Sequence, residues 1–587
     1  MCGIAGFSQF HNQQGNLEDL KAMGTAMIHR GPDAGGEYYH QQIGLCHRRL
    51  SIIDLTDAGR QPMQNINKSL TIVFNGEIYN YQPLRQELLA LGYAFANDTD
   101  TEVLLALYQE HGTDMLDKIN GMFAFALWDH EKESLFIARD RIGKKPLYYS
   151  FNEGDILFAS ELKCLLQLPQ VKRNIRLDAV HDFFAYQYIP DPKTIFEDVY
   201  KLEPGHFLVI DKNGYEIKQY WDVSFANGFS ESESKLKEQL KQKLTECTQK
   251  RMISDVPLGA FLSGGVDSSG VVALMSELSD KPVTTCSIGF DEKKFNETEF
   301  AQSVAKQYKT DHHEFFVKEN VQDNLERIVS YFDEPFADPS LVPTYFVSKL
   351  AKQKVTVAVA GDGGDEVFAG YSKYNIDDIE NRLRNKFPSW LRKFVFPTLA
   401  ELAGKVNNKS FKKAKSLLNS LSVDPAMGFY MTNSMITDED WQTLIKPEVK
   451  ESLGDYHPSK NTLDKYHEAD GPDHLSKILY TDMKTYLPGG ILVKVDRMSM
   501  ANSLEVRAPI LDYEIIEFAS RCPSKLKFNN GEKKYLLKEA FKNHLTDDIL
   551  YRKKMGFSVP LAKWLREDIK TLAEKKNLLI FDDGLQD

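Results

Sequence analysis

A cysteine directly follows the initiator methionine in the opening sequence MCGIAGF. If Met1 is removed, the thiol and the free α-amine of Cys2 belong to the same residue. An unperturbed thiol has a pKa of about 8.5 and an α-amine one of about 8, so at neutral pH the amine is a serviceable base. One residue can then supply both the nucleophile and the base for attack on an amide. Cys2 is therefore the first candidate catalytic residue.

A glycine-rich loop, FLSGGVDSS, lies between a strand-like run and a helix-like run at residues 261–269. Its two glycines allow the backbone to approach a phosphate closely, and the N-terminus of the following helix favours an anion. The Lys-Ser/Thr ending of a P-loop is absent. An aspartate in the loop could help to hold Mg²⁺ through oxygen ligation. The candidate ligands are Ser263, Gly264, Gly265, Asp267 and Ser268.

A second glycine loop, AGDGGDE, follows another strand-like run at residues 360–366. In an open parallel sheet, the loops at the carboxyl ends of the strands converge on one ligand crevice. The two glycine loops are therefore expected to line a common site. Its acidic residues, Asp362 and Asp365, would bind magnesium or orient a reacting group.

The runs that must position these residues divide the chain into two predicted domains. Residues 1–210 contain short apolar runs bounded by Gly, Asn and Asp, which predict an α+β domain. Residues 211–235 are predicted to form a linker. In residues 236–587 strand-like and helix-like runs alternate before helical patterns dominate, which predicts a doubly wound α/β domain with a parallel sheet and added helices. The run TEVLLALYQEHG (101–112) predicts a helix with Thr101 as its N-cap.

The composition is that of a globular protein with an acidic surface. Hydrophobic residues make up 42%, charged residues 27%, and the formal net charge is -12. This charge argues against nucleic-acid and membrane-surface partners, although a local basic groove is compatible with it. The six cysteines form no C-x-x-C pair, and the sequence has neither an apolar run of membrane-spanning length nor a signal-peptide pattern. We expect a cytoplasmic protein.

Five motifs of the N-terminal region together resemble class II glutamine amidotransferases: MCGIAGF, HRGPD (29–33), RRLSIID (48–54), FNGEIYN (74–80) and TDTE (99–102). The resemblance implies a four-layer αββα fold of the N-terminal nucleophile hydrolase type. It also implies that Cys2 attacks the side-chain amide of glutamine and releases ammonia through a thioester.

The same resemblance assigns roles to other residues of this domain. The side chain of Asn75 and the backbone N–H of Gly76 would form the oxyanion hole. Arg49 would bind the α-carboxylate of glutamine as a bidentate donor. Asp100, together with Glu77, would bind its α-ammonium group.

The first glycine loop resembles the pyrophosphate loop of ATP pyrophosphatases. A glutaminase followed by such a domain is similar to the glutamine-hydrolysing asparagine synthetase family, bacterial branch, and further motifs fit it: DEPFADPS (333–340), YLPGGILVKVDRMSMANSLEVRAPILD (486–512) and RKKMGFSVPL (552–561). The implied reaction uses ATP and Mg²⁺. A carboxylate attacks the α-phosphorus of ATP, and ammonia from the first domain converts the acyl adenylate into an amide.

Family roles in the second domain follow by position. The pyrophosphate loop would hold pyrophosphate, with Asp267 and Asp365 at the metal. Leu262 and Ile288 would flank the adenine through their backbone, and Gly361 would contact the nucleotide. Lys554 would stabilise charge on the transferring phosphate. Asp362 stands where the best-known enzymes of the family have glutamate, at a position thought to aid ammonia attack.

Three functions remain open from the sequence. The first is amidation of aspartate. The second is the same chemistry on another carboxylate, such as a uronic acid of a polysaccharide pathway. The third is a non-catalytic binding relative, which the presence of Cys2, Asp267 and the glycines disfavours. The partners expected in the catalytic cases are small-molecule substrates, with a homodimer as a possible assembly.

Overall fold

The computed structural model describes residues 2–11, 15–152, 154–289, 296–317 and 321–553 of the 587-residue chain. Its N-terminal half contains strands β1 (Gly3–Ser8), β2 (Ala34–His40), β3 (Ile43–Arg49), β4 (Met63–Gln64), β5 (Leu70–Ile78), β6 (Gly121–Asp129), β7 (Ser134–Arg139), β8 (Tyr148–Asn152), β9 (Asp155–Ala159), β10 (Val199–Lys201), β11 (His206–Asp211) and β12 (Gly214–Gln219). The helices of this half are α1 (Leu17–Ala26), α2 (Tyr81–Ala90), α3 (Asp100–His111), α4 (Met115–Lys118), α5 (Leu162–Leu165) and α6 (Leu177–Tyr186).

These strands form two antiparallel sheets within the described residues, with the orders β10-β8-β9-β1-β3-β2 and β12-β11-β7-β6-β5-β4. Side chains alternate across β1, so that Ile4 packs between the two sheets while Ala5 and Phe7 pack against α1. Helices α2 and α3 cover the outer face of the second sheet. The layers therefore run helix, sheet, sheet, helix, which confirms the predicted αββα domain.

The β11–β12 hairpin extends this second sheet past residue 210, with Asp211 opposite Gly214 at its turn. Helix α3 begins at Asp100, and its N-cap is Thr99 instead of the predicted Thr101. The hydroxyl oxygen of Thr99 accepts a hydrogen bond from the backbone N–H of Glu102 at 3.2 Å. The helix start therefore lies two residues earlier, because Thr99 is the residue with extended backbone before the first helical turn.

The C-terminal half is built on a parallel sheet of β13 (Leu258–Phe261), β14 (Thr284–Gly289), β15 (Asp311–Phe316), β16 (Val357–Val359) and β17 (Glu505–Arg507), and it also has a small hairpin of β18 (Phe528–Asn529) and β19 (Glu532–Lys533). The parallel sheet has the order β15-β14-β13-β16-β17. The chain moves outward from β13 in one direction and then crosses to β16 on the other side. The gap between β13 and β16 is therefore the topological switch point, where ligands bind in open α/β sheets.

Helices surround this sheet and extend well beyond it. They are α7 (Glu233–Lys250), α8 (Val266–Leu278), α9 (Thr298–Tyr308), α10 (Val321–Val329), α11 (Leu341–Ala351), α12 (Gly364–Val367), α13 (Ser372–Lys386), α14 (Phe396–Gly404), α15 (Lys409–Ser422), α16 (Pro425–Asn433), α17 (Asp438–Leu444), α18 (Pro447–Leu453), α19 (Ser459–Glu468), α20 (His474–Lys484), α21 (Val493–Met500), α22 (Tyr513–Arg521), α23 (Ser524–Lys527), α24 (Tyr535–Phe541) and α25 (Asp547–Leu550). The predicted doubly wound domain with added helices is confirmed. Among the residues described, none of the helices combines the length and the apolar character needed to cross a bilayer.

Candidate active sites

Cys2 lies at the start of β1 and is 8% exposed. Its backbone nitrogen donates a hydrogen bond to Oδ1 of Asn75 at 3.1 Å, and its Sγ lies 3.9 Å from the carbonyl oxygen of Leu50. Burial raises the pKa of the thiol, and nearby Arg49 partly opposes this shift. A thiol in this environment is mostly protonated at neutral pH, so attack requires a base close to the sulfur. The nitrogen that would serve as this base is oriented by Asn75.

The predicted oxyanion residues lie beside Cys2 on β5. Asn75 is fully buried, and its Nδ2 lies 3.4 Å from Oγ of Ser160. Gly76 is paired with Phe123 of β6, and a Cβ at Gly76 would overlap the carbonyl oxygen of Met122. The close pairing of these two strands therefore requires glycine at position 76. This strand pairing holds the side-chain amide of the neighbouring Asn75 beside the nucleophile.

Arg49 shapes the loop that follows β3. Its Nη1 donates to the carbonyl oxygen of Thr56 at 2.8 Å, and its Nη2 donates to that of Asp54 at 2.5 Å. The second domain holds the same loop, because the backbone N–H of Asp54 donates to Oδ2 of Asp255 at 2.9 Å and that of Asp255 donates to the carbonyl oxygen of Ile52 at 3.1 Å. The loop is thus fixed from both domains.

A cavity of about 1020 Å³ opens beside this loop. It is lined by the loop itself, by the first turns of α2 and by the segment before α3, including Asp54, Arg85, Asp98 and Asp255. The cavity therefore opens to solvent beside the loop whose carbonyl oxygens accept hydrogen bonds from Arg49.

The two carboxylates predicted to bind an ammonium group, Glu77 and Asp100, are both buried and interact electrostatically. Burial raises the pKa of Asp100 to about 6, and the backbone N–H of Ile78 donates to its Oδ2 at 2.9 Å. Burial and the charge of Asp100 raise the pKa of Glu77 well above its usual range, against the opposing effect of Arg507. A cation beside this buried pair would be favourable, because an opposite charge offsets the cost of ionising the two carboxyl groups.

Arg507 comes from β17, the edge strand of the parallel sheet, and was not predicted as a site residue. Its Nη2 lies 3.2 Å from Oε2 of Glu77, and its Nε donates to Oε1 of Glu505 at 2.6 Å. Its Nη1 donates to the carbonyl oxygen of Ile253 at 2.6 Å. The sequence signal was the charged pair in SLEVRAP, because charged residues in a buried strand must be paired.

Arg30 of the HRGPD motif was also missed. It is fully buried, and its Nε donates to the carbonyl oxygen of Cys2 at 3.1 Å. Its Nη1 and Nη2 bind Asp496 of α21 at 2.7 and 3.0 Å, and Nη1 also donates to Glu161 at 2.9 Å. The next residue on α21, Arg497, pairs with Glu161 at 2.9 Å. A buried ionic network thus connects the nucleophile to a helix of the second domain.

The pyrophosphate loop predicted from FLSGGVDSS joins β13 to α8 at the switch point. Gly264 has a φ of +72°, a conformation that favours glycine. Oγ of Ser263 and Oγ of Ser268 are 2.9 Å apart, and the backbone N–H of Gly265 donates to Ser263 at 3.3 Å. Gly265 is the N-cap of the 13-residue helix α8 and has no side chain to cap it. The first turn of α8 can therefore bind an anion through its backbone.

The second glycine loop packs directly on the first, as the sheet topology predicted. A Cβ at Gly361 would lie 2.5 Å from the backbone nitrogen of Ser268, and one at Gly364 would overlap the carboxylate of Asp267. The three candidate acidic residues therefore lie in one cluster. Burial raises the pKa of Asp362, and the charges of Asp267 and Asp365 add to this shift.

A lysine that the sequence reading missed lies within this acidic cluster. Lys534 of the β19–α24 connection binds Asp267 and also lies 2.9 Å from Oδ1 of Asp365. Although burial opposes it, these two carboxylates raise the pKa of Lys534 above its usual value. The carboxylates thus already attract one cation, and hard oxygen ligands of this kind suit Mg²⁺.

The remaining predicted residues of the nucleotide site are buried strand residues or lie outside the described chain. The backbone N–H of Leu262 donates to the carbonyl oxygen of Cys286 at 2.9 Å, and Ile288 is a 9% exposed residue of β14. Leu262 directly follows β13, and Ile288 lies near the carboxyl end of the neighbouring strand β14. Lys554 lies outside the described residues.

A cation–anion pair lies near Asp362. Nζ of Lys494, at the start of α21, lies 3.2 Å from Oδ2 of Asp338 and 2.7 Å from Oγ of Ser340. Lys494 also lowers the pKa of Asp362 against the larger effect of burial. Asp338 belongs to the motif DEPFADPS, from which the sequence predicts no individual role for it.

Comparisons with known proteins match both halves of the chain. The glutamine amidotransferase domain model matches residues 1–221, and the asparagine synthase model matches residues 239–578. Asparagine synthetase [glutamine-hydrolyzing] 1 of Bacillus subtilis (strain 168) is 37% identical over 97% of this chain and 88% of its own length. A putative asparagine synthetase of Mycobacterium tuberculosis (strain ATCC 25618 / H37Rv) is 35% identical over 92% and 84%. Amidase chry2 of Gibberella zeae is 27% identical over 98% and 92%. The chain belongs to the glutamine-hydrolysing asparagine synthetase family.

Proposed function

We propose that the protein amidates aspartate in a glutamine-dependent, ATP-driven reaction that yields asparagine, AMP, pyrophosphate and glutamate. The observation that supports this most directly is the pairing of two sites in one chain. One site combines a buried thiol with a hydrogen-bonded α-nitrogen, and the other lies between two glycine loops at the switch point of a parallel sheet. Neither site alone would transfer nitrogen from an amide to a carboxylate.

In the proposed glutaminase step, the α-amine of Cys2 takes the thiol proton after removal of Met1. The thiolate attacks the glutamine side-chain amide, and the Asn75 side chain with the Gly76 N–H stabilises the oxyanion. Arg49 and the Glu77–Asp100 pair bind the two charged ends of the substrate. The amine returns its proton to the leaving nitrogen, ammonia departs, and water hydrolyses the thioester to glutamate.

In the proposed synthetase step, the side-chain carboxylate of aspartate attacks the α-phosphorus of ATP. The N–H groups at the start of α8 and the hydroxyls of Ser263 and Ser268 bind the pyrophosphate. Mg²⁺, held by Asp267 and Asp365 when bound, would neutralise charge on the leaving pyrophosphate. Asp362 accepts a proton from the attacking ammonia, which its raised pKa favours.

The Lys494–Asp338 pair supports aspartate over a sugar acid as the acceptor. Lys494 can bind the α-carboxylate of an amino acid, and Asp338 can bind its α-ammonium group. A uronic acid has no ammonium group, so it would leave the carboxylate of Asp338 without a partner from the substrate. Asp338 keeps its contacts with Lys494 and Ser340 in either case, so the preference for an amino acid would come from the added ion pair with its ammonium group.

An acceptor screen tests this function. Pyrophosphate release is followed with ATP and glutamine while the carboxylate is varied among aspartate, glutamate, glucuronate and galacturonate. Release with aspartate, and formation of asparagine in equal amount, supports the proposal. Release with a uronic acid and none with aspartate would establish the alternative acceptor class instead.

A Cys2→Ala variant tests the division of labour between the sites. Glutamine-dependent synthesis should vanish, whereas synthesis from free ammonium should continue at the wild-type rate. Mass spectrometry of the active protein should show that Met1 is absent, and full activity with Met1 retained would contradict the mechanism. The expected cytoplasmic location agrees with these substrates. Light scattering of the intact chain tests the homodimer.

A further inference from the structure

A basic helical hairpin projects from the second domain, and the reactions above do not use it. Residues 386–415, which we call the basic hairpin, comprise the end of α13, a π-helical turn (Leu391–Val395), α14 and the first half of α15. This segment contains eight Lys and Arg residues and one acidic residue, Glu401, in a chain whose net charge is -12. Positive charge is therefore concentrated here against the overall sign of the protein.

Large apolar side chains of the basic hairpin are exposed alongside these cations. Phe394 is 76% exposed, Trp390 60%, Leu402 54% and Phe411 46%. Trp390 and Phe394 are four residues apart in one continuous helical segment, so their side chains lie on the same side of it. Such large apolar groups are normally buried, so their grouping indicates a surface that contacts another phase or molecule.

The cations of the basic hairpin are available for an external partner. Six of the eight are exposed: Lys386, Lys393, Lys405, Lys409, Lys412 and Lys413. Within the described part of the chain, Lys415 is the one member that approaches a carboxylate, with its Nζ 3.8 Å from Glu439. The side chain of Arg392 donates to the carbonyl oxygens of Phe387 and Leu421 at 3.3 and 3.4 Å.

We propose that the basic hairpin binds the surface of an anionic lipid membrane. Aromatic and leucine side chains beside Lys and Arg are the composition of helices that lie in the interfacial layer of a bilayer. The lysines would contact anionic headgroups while Trp390, Phe394 and Leu402 insert at the boundary of the acyl chains. The protein would attach peripherally through this element, which accords with the lack of a spanning helix in the described residues.

The positive charge of the basic hairpin favours a membrane over a second copy of the chain as its partner. A symmetric contact between two basic hairpins would bring their like charges together, which is unfavourable. An anionic membrane supplies both a layer of negative charge for the lysines and an apolar phase for the exposed aromatic side chains. The negative net charge of the whole chain argues against a membrane partner, but the basic hairpin itself is positively charged.

Vesicle binding by the intact protein tests the proposal. The probes are vesicles of phosphatidylcholine alone and vesicles with about one-third phosphatidylglycerol. The protein should float with the anionic vesicles in about 0.1 M salt, and binding should fall in about 0.5 M salt because the charges are screened. The fluorescence of Trp390, an exposed tryptophan, should shift to the blue on binding, and a Trp390→Phe variant should bind while losing that shift.

Variants with matched controls locate the contact. The Trp390→Ser/Phe394→Ser variant should lower the partition coefficient roughly tenfold or more. Lys412→Gln/Lys413→Gln should lower it by roughly fivefold per lysine. Controls are Ile66→Ser, at a 69% exposed site, and Lys281→Gln, both remote in sequence from the hairpin. Ammonium-dependent AMP formation should be unchanged in all variants, which shows that they fold.

Three results would overturn the proposal. The first is that the wild-type protein fails to float with anionic vesicles at low salt. The second is vesicle binding that the hairpin variants leave unchanged. The third is a shift from dimer to monomer in the Trp390→Ser/Phe394→Ser variant without any vesicle binding. The last outcome would assign the exposed surface to contact between copies of the chain.

Discussion

Replacing Asp255 by alanine should weaken glutamine use while leaving the synthetase reaction intact. Asp255 belongs to the second domain, yet its carboxylate accepts the hydrogen bond of the Asp54 N–H at 2.9 Å. Asp54 is one of the residues whose carbonyl oxygen binds Arg49, at 2.5 Å. Without Asp255 the loop loses one of its two anchors, and the guanidinium of Arg49 is oriented less well for the substrate carboxylate.

The size of the effect follows from the contact that is lost. A hydrogen bond of this kind contributes about 1 kcal/mol net, the value for an ordinary hydrogen bond, because Asp255 is exposed and solvent weakens the effect of its charge. This corresponds to roughly a fivefold increase in the KM for glutamine. The kcat for ammonium-dependent synthesis should not change, since Asp255 precedes the amino end of β13, whereas the glycine loops follow the carboxyl ends of β13 and β16.

Steady-state assays with the two nitrogen sources measure the KM for glutamine and the kcat of ammonium-dependent synthesis separately. Asparagine formation is followed with glutamine or with ammonium chloride, for the wild type, Asp255→Ala and Asp255→Asn. The Asp255→Asn variant keeps an oxygen acceptor, so its KM for glutamine should stay within about twofold of the wild-type value. An unchanged KM for glutamine in Asp255→Ala, or an equal loss with ammonium, would refute the role of this contact.

Three further predictions concern the glutaminase and its interface. Gly76→Ala should lower glutamate release about a hundredfold and spare ammonium-dependent synthesis, because its Cβ would overlap Met122; normal release would contradict the strand packing. The KM for glutamine should rise as pH falls from 7 to 5, because Asp100, with a pKa of about 6, loses the charge that attracts the substrate ammonium; Asp100→Asn should have a high KM that varies little over this range. Asp496→Ala should lower the free energy of unfolding in urea by about 3–5 kcal/mol, since it leaves buried Arg30 short of a partner. Although burial opposes it, Arg30 lowers the pKa of Asp496, so this contribution should be present at neutral pH and lost in acid as Asp496 protonates; an Asp496→Ala variant as stable as the wild type at pH 7 would contradict it.

The local elements could be predicted because their signals are local. Short apolar runs bounded by Gly, Asn and Asp predicted the α+β character of the first domain, and the glycines of the two loops marked the turns after β13 and β16. The start of α3 was misplaced by two residues, since both Thr99 and Thr101 can cap a helix and only the backbone conformation selects one. The family resemblance supplied the candidate roles of Cys2 and its neighbours.

The contacts between domains were not predictable from either half alone. Arg30 and Asp496 are 466 residues apart, yet they form a buried bidentate pair. The sequence around each residue does not indicate its partner. Charged residues are usually exposed to solvent, so nothing local shows that these two are buried and must pair. The same holds for Lys534, whose surroundings, GEKKYLL, gave no sign that it would bind two carboxylates of the nucleotide site.

The amino-acid sequence by itself determined the order of strands and helices, the two glycine loops and the nucleophile, because turn chemistry and side-chain periodicity act within a few residues. Only the tertiary structure decided that Arg507 of one domain meets Glu77 of the other, and that the basic hairpin leaves Trp390 and Phe394 exposed. Both depend on which surfaces the folded chain buries together. Burial is a property of the whole packed molecule, and it sets which charges must pair and which apolar groups remain for a partner.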